Sequence, residues 1–279
     1  MRDALHLQQP RAIIKGDVVH RVSNFLAGFA LRLAPIGLLV IIWYGLVQWL
    51  DIPSRLMPGP LEVGGRIYTG LFVDADLWLH LWLTFKSTFA GFVLGSVLAI
   101  ALGSLLAMNR KLELLVYPLV VLIQAVPKVA IAPLVLLWLG FDARSTITLV
   151  ALICFFPAFV GAFVGVRSTP AVLLDLFQTL KASGLKTYLH CSLPNAAGSI
   201  IAGLQVGWGF ALVGCVVMEF IMGMGGAGFL IDNSANALDT VTAVAAMVLL
   251  GVLGYIGGGV LSGIRRRVVF WEGGRRHDQ

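Results

Sequence analysis

Three polar side chains able to bind or relay a solute stand inside long apolar stretches: Glu219, Lys128 and Gln124. An ionisable group in such a stretch is costly, so it marks a functional site or an internal pairing. Glu219 has two readings. It is a contact for a solute late in a span, or a structural carboxylate hydrogen-bonded to the backbone of residues 223–231. An ionised Glu would repel an anionic solute. Lys128, beside Pro127, reads as an electropositive point on a solute path or as a lysine paired locally at a membrane edge. Gln124 lies one helical turn earlier and can share the face of Lys128. Catalytic chemistry has no footing. There is no GxxxxGK[ST] phosphate loop, no HExxH and no nucleophile–base pattern. The GMGGAG run at 223–228 follows an apolar helix, not the strand that a dinucleotide site needs. Cys154, Cys191 and Cys215 lack disulfide or metal-ligand spacing, and His80 and His190 stand alone. We expect no enzyme activity, metal or cofactor in this chain.

The elements that must hold these groups are membrane helices. Of 279 residues, 58% are hydrophobic and 12% charged, with a mean hydropathy of +0.91. Soluble domains carry about 45–50% apolar and about 25% charged residues. The net charge of +6 comes from basic residues flanking apolar runs. That placement sets topology and argues against nucleic acid as a partner. Six stretches, 33–50, 84–108, 113–139, 146–166, 199–222 and 240–262, are near the ~20 residues of a spanning helix. The expected fold is all-α integral membrane, with six transmembrane helices. Residues 1–32 form a cytoplasmic tail with a possible interfacial helix over Val18–Phe29. Residues 33–265 form the membrane domain, and 266–279 a basic cytoplasmic tail. The mixed residues before the first run do not have the form of a cleavable signal. Lys and Arg concentrate in the tails and after spans two and four, leaving only Arg55, Arg66, Lys86 and Arg144 outside. Both termini are therefore expected in the cytoplasm.

Small residues recur every fourth position in span two (Gly91, Gly95, Ala99, Gly103, Ala107) and span five (Gly203, Gly207, Ala211, Cys215). Such ridges let backbones approach in lipid and predict a close-packed bundle. Pro127 and Pro133 interrupt span three and predict a kink, which fits a wet path. Five tryptophans, Trp43, Trp49, Trp78, Trp82 and Trp138, lie mostly near span ends, as interfacial belts place them. Between spans four and five, residues 170–194 read as two short amphipathic helices joined near Ala182-Ser183, with a break at Pro194. An amphipathic helix that does not span must cover its apolar face with lipid, the bundle or a partner.

Residues 170–194 resemble the EAA signature of importer permeases, EAA-x3-G-x9-I-x-LP. Asp175 stands at the Glu position, Leu176-Phe177 at the two alanines, Lys181 at the Gly, Cys191 at the Ile, and Leu193-Pro194 fit in register. PGPLEV at 58–63, VPKVAIAPLVLLWLGF at 126–141, FFPAFVGAFVGVRS at 155–168 and the stretch from Met218 to Ile231 are similar to the nitrate/sulfonate/taurine-type branch of ABC importer permeases. The resemblance covers nearly all of 35–265. It implies a homodimeric permease in a bacterial inner membrane, two cytoplasmic ATP-binding subunits, and a periplasmic or lipid-anchored solute-binding protein. It further implies that the loop is a coupling helix seated on the ATPase, through Asp175, Phe177, Lys181, Ala182, Ser183, Leu193 and Pro194. A secondary transporter, the alternative class, would show internal repeats and paired intramembrane acids, and neither is evident. Relatives in this branch handle nitrate, sulfonates, taurine, bicarbonate and vitamin precursors, so the solute stays open within that range.

Overall fold

The computed structural model describes residues 34–35 and 37–270, in two units that meet between Glu62 and Val63. The Val18–Phe29 helix and most of both tails lie outside the described residues. In the first unit an apolar helix, α1, runs Gly37–Trp49, shorter than a full crossing. It occupies most of the first expected span. Ser54 Oγ donates to Glu62 Oε1 at 2.9 Å, closing the connection that follows.

Next come α2 (Pro60–Phe72), α3 (Asp76–Met108), α4 (Arg110–Ala125), a 3-10 turn (Lys128–Ile131), α5 (Ala132–Leu139) and α6 (Ala143–Arg167). They are followed by α7 (Ala171–Thr179), α8 (Gly184–Thr187), a π turn (Tyr188–Ser192), α9 (Leu193–Met222), α10 (Ala227–Asn236) and α11 (Thr240–Val268). No strand occurs among the described residues. Among the described residues four helices are long and apolar enough to cross a membrane, or five if the bent pair α4/α5 counts as one. Span two begins earlier than its hydropathy suggests, because Asp76, His80 and Lys86 depress the apolar signal without breaking the helix.

The core forms around α6, and the small-residue ridges explain why. A Cβ on Gly95 would lie 2.5 Å from the Ala151 carbonyl oxygen, and one on Gly103 2.8 Å from that of Phe159. On the opposite flank a Cβ on Gly203 would lie 2.5 Å from the Pro157 carbonyl oxygen. The helices therefore touch backbone to backbone, which in lipid replaces hydrophobic driving force with close dispersion contact. Phe159, fully buried, stacks between Phe155 and Phe163 at centroid separations of 5.7 and 6.0 Å.

Polar ties fasten the ends. Arg66 of α2 donates to Asp76 at 2.5 Å and to Thr242 of α11 at 2.9 Å. The hydrogen bond to Asp76 raises the Arg66 pKa above its ordinary value. At the other end Glu113 pairs with Arg110 at 2.8 Å and with Arg167 at 3.2 Å, joining the start of α4 to the end of α6.

Candidate functional site

The third apolar span is broken rather than kinked. α4 and the segment Lys128–Leu139 meet at 82°. Val126 is extended (ψ 127°), as a residue before proline prefers, and Pro127 follows at ψ 101°. Pro133 does not bend anything: it sits in the first turn of α5, where its missing N–H costs nothing. Pro118 within α4 and Pro157 within α6 are also tolerated inside helices.

The break opens a cleft. Gln124, Phe156 and Pro157 line both a cavity of about 640 Å³ among α4, α6 and α9 and an adjoining one of about 340 Å³ at the break itself. Lys128 lines the second. Its ammonium donates to the Gln124 carbonyl at 3.4 Å and sits 5.4 Å from the centre of the Phe156 ring. It is thus locally paired and still exposed to the cleft. Tyr117, Ser199 and Gly203 complete the larger cavity with Val and Ala side chains. Phe156 and Ser199 gave no signal in the sequence, since both look like ordinary span residues.

Glu219 lines neither cavity. It is 6% exposed and fully engaged within the chain. Thr84 Oγ1 lies 2.8 and 3.0 Å from its two oxygens, and the Gly228 N–H donates to Oε2 at 2.8 Å. The Cys215 thiol adds a contact at 3.4 Å. Thr84 also accepts from the Ala227 N–H at 2.7 Å, and His80 Nδ1 donates to the Gly226 carbonyl at 3.1 Å. Gly226, at φ 97°, must be glycine twice over: its backbone is left-handed, and a Cβ there would run into the Glu219 carboxylate. Sequence reasoning missed Thr84, whose link to Glu219 crosses 135 positions.

Residues 170–194 begin as two helical pieces joined at 180–183. α7 ends in a Schellman motif: the Ala182 N–H reaches the Phe177 carbonyl at 3.0 Å, and the Lys181 N–H reaches Gln178 at 2.8 Å. Lys181 occupies the left-handed position at φ 53°. Glycine is the usual residue there, so the Gly of the signature has a backbone reason. Ser183 then caps α8, accepting from the Lys186 N–H at 3.4 Å. Asp175 and Lys181 are exposed, and Phe177 and Ala182 half-buried. Val172, Leu176, Leu180 and Leu185 are 53–78% exposed, so none of the described residues covers that apolar face.

The expected break at Pro194 is absent. Gly184 to Met222 is one helical run of 39 residues. Pro194, with no N–H to give, sits in the first turn of α9 beside half-buried Leu193. The turn before it widens to a π turn, in which the Leu193 N–H reaches Tyr188. The Tyr188 hydroxyl donates to Ser104 of α3 at 3.0 Å, fastening the loop to the bundle.

Residues 91–269 match the family model described as binding-protein-dependent transport system inner membrane component. The riboflavin transport system permease protein RibX of Chloroflexus aurantiacus is 32% identical over 84% of this chain and 87% of its own. SsuC of Escherichia coli, named for aliphatic sulfonates transport, is 31% identical over 84% and 88%. The taurine transport system permease protein TauC of Escherichia coli is 26% identical over 87% and 90%. In fold, the chain is similar to a subunit of the MetNI methionine ABC transporter in an inward-facing conformation. The TM-score is 0.63 at 18% identity, over 71% of this chain and 99% of that one.

Proposed function

This chain belongs to the binding-protein-dependent transport inner membrane component family, and on that premise we propose that it forms the membrane path of an ATP-driven importer for a small, sulfonate-like anion. In this reading α1 is the first of six spans, and both termini face the cytoplasm of a bacterial cell whose inner membrane holds the protein. Two copies pair, and the outward apolar face of α4, with Leu115, Leu119 and Leu122 exposed, supports a partner there. Cytoplasmic ATP-binding subunits seat on residues 170–194 and supply the hydrolysis. A periplasmic or lipid-anchored binding protein delivers the solute.

The observation that carries the anionic reading is Lys128. Its ammonium lines a cleft at a helix break, beside Gln124, between largely apolar walls. Low-dielectric walls strengthen its attraction for an anion, and Phe156 and the Gln124 carbonyl hold it without neutralising it. Glu219 takes no part in the path in this reading, since its oxygens are already filled. The unburied leucines of α7 and α8 support the coupling role, and the charge of Lys181 implies an acidic residue on the ATPase opposite it.

The test is uptake of taurine and ethanesulfonate into proteoliposomes holding the chain with its ATPase and binding protein. Lys128→Met should lower uptake about tenfold, the worth of one charge-assisted contact, while binding-protein-stimulated ATP hydrolysis persists. Wild-type uptake by Lys128→Met, or uptake without ATP, would overturn the reading.

A further inference from the structure

The last span turns a face that the rest of the described chain leaves open. On it Tyr255, Gly258, Gly259, Ser262, Gly263 and Arg266 form, with Gln205 of α9, a trough of about 460 Å³. A Cβ added at Gly258, Gly259 or Gly263 would meet nothing. Packing among the described residues therefore does not require these glycines, although each weakens the helix.

Length and chemistry say what the trough fits. From Tyr255 to Arg266 the helix rises roughly 16 Å, against about 15 Å for one leaflet of a ~30 Å hydrocarbon core. Its polar groups are graded along that depth. Arg266 stands at the end, between Arg265 and Arg267 in the last turn of α11. One turn deeper, Ser262 accepts from the Gln205 amide at 2.8 Å and keeps its own proton as a donor. Deeper still are bare glycines and the Tyr255 ring, which is 81% exposed. Cation, hydroxyl donor and apolar groove match, in order and spacing, a phosphate, a glycerol ester and an acyl chain.

We propose that this trough binds one anionic glycerophospholipid of the inner leaflet, with its phosphate on Arg266, an ester carbonyl on Ser262 and a chain along Gly258 and Gly259. Three consecutive arginines favour a net negative headgroup over a zwitterionic one. The leaflet rests on the orientation proposed above. The full chain, purified in detergent and delipidated, is titrated with phosphatidylglycerol and phosphatidylcholine under native mass spectrometry. Phosphatidylglycerol should be retained about tenfold better. Arg266→Ala should erase that preference without changing the melting temperature, and Gly259→Leu should lower retention of both lipids. Equal retention by the wild type, or an intact preference in Arg266→Ala, overturns the site. Displacement by soluble glycerol phosphate overturns the lipid as its source. A Gly259→Leu chain that keeps its lipid but separates from a second copy shows that a helix fills the trough instead. Labelling of Arg267→Cys by an impermeant maleimide from outside intact cells would overturn the orientation alone, whatever the titration gives.

Discussion

The turn at 223–228 and the turn at 180–183 both reverse a helix through left-handed backbone, and they do so in opposite ways. In the first, Gly223, Gly225 and Gly226 stand at φ 63°, 127° and 97° and give up their side chains. Glu219 fills the space beside Gly226 and Gly228, and its hydrogen-bond partners Thr84 and Gly228 belong to this chain. In the second, Lys181 adopts the same kind of backbone and keeps a long cationic side chain in the open. A turn stripped to glycine serves packing. A turn that accepts strain to display a cation, amid leucines that no described residue covers, fits the coupling surface proposed above.

Substitution can break that contrast from either side. The largest effect is expected from Gly226→Ala, which forces a Cβ into left-handed backbone and displaces the Glu219 carboxylate. Strain of ~1–3 kcal/mol and stranded buried donors of ~1–3 kcal/mol together predict a loss of about 3 kcal/mol or more. It would be read as a collapse of folded yield and melting temperature in detergent. Thr84→Val removes the hydroxyl that serves both Glu219 and the Ala227 N–H. It should cost about 1–3 kcal/mol, most of it recovered by Thr84→Ser. A Thr84→Val chain that melts like the wild type would mean that this network does not hold the turn at 223–228. The smallest effect is expected from Lys181→Gly, with the opposite sign. Relief of the left-handed backbone should stabilise the chain by about 1 kcal/mol, while stimulated ATP hydrolysis in the assembled transporter falls. Unchanged stimulation would take Lys181 out of the coupling surface and reduce the difference between the two turns to backbone alone.

Much of the packing was legible in the sequence, because four-residue spacing of Gly and Ala translates directly into helix contact. Gly95 against Ala151 and Gly203 against Pro157 are the ridges read earlier. The break in span three was legible at Pro127, but its 82° angle was not, since it depends on the direction in which helix resumes at Lys128. α2 went unread: Gly64, Gly65 and Gly70 dilute its helical signal, and its polar anchor, Arg66 to Thr242, spans 176 positions. The continuous helix through Pro194 was misjudged. A proline rule applied residue by residue does not see that a wider turn immediately before it can absorb the missing donor. The partners of Glu219 were half legible. Its bond to Gly228 is local, whereas Thr84 comes from another span.

One continuous rod from Gly184 to Met222 has a mechanical meaning. Its first end joins the loop at Ser183, and its last turn carries Glu219 and leads into the turn that Glu219 secures. Its side-chain-free contact with α6, Gly203 against Pro157 and Gly161, lies equally far along the sequence from both ends. At ~1.5 Å per residue each arm is roughly 28 Å long. Glycine on both helices leaves no interlocked side chain at that point, so it can serve as a fulcrum. A see-saw with equal arms neither amplifies nor dampens. Whatever sideways displacement reaches Gly184 would arrive at Glu219 with about the same size and the opposite sense.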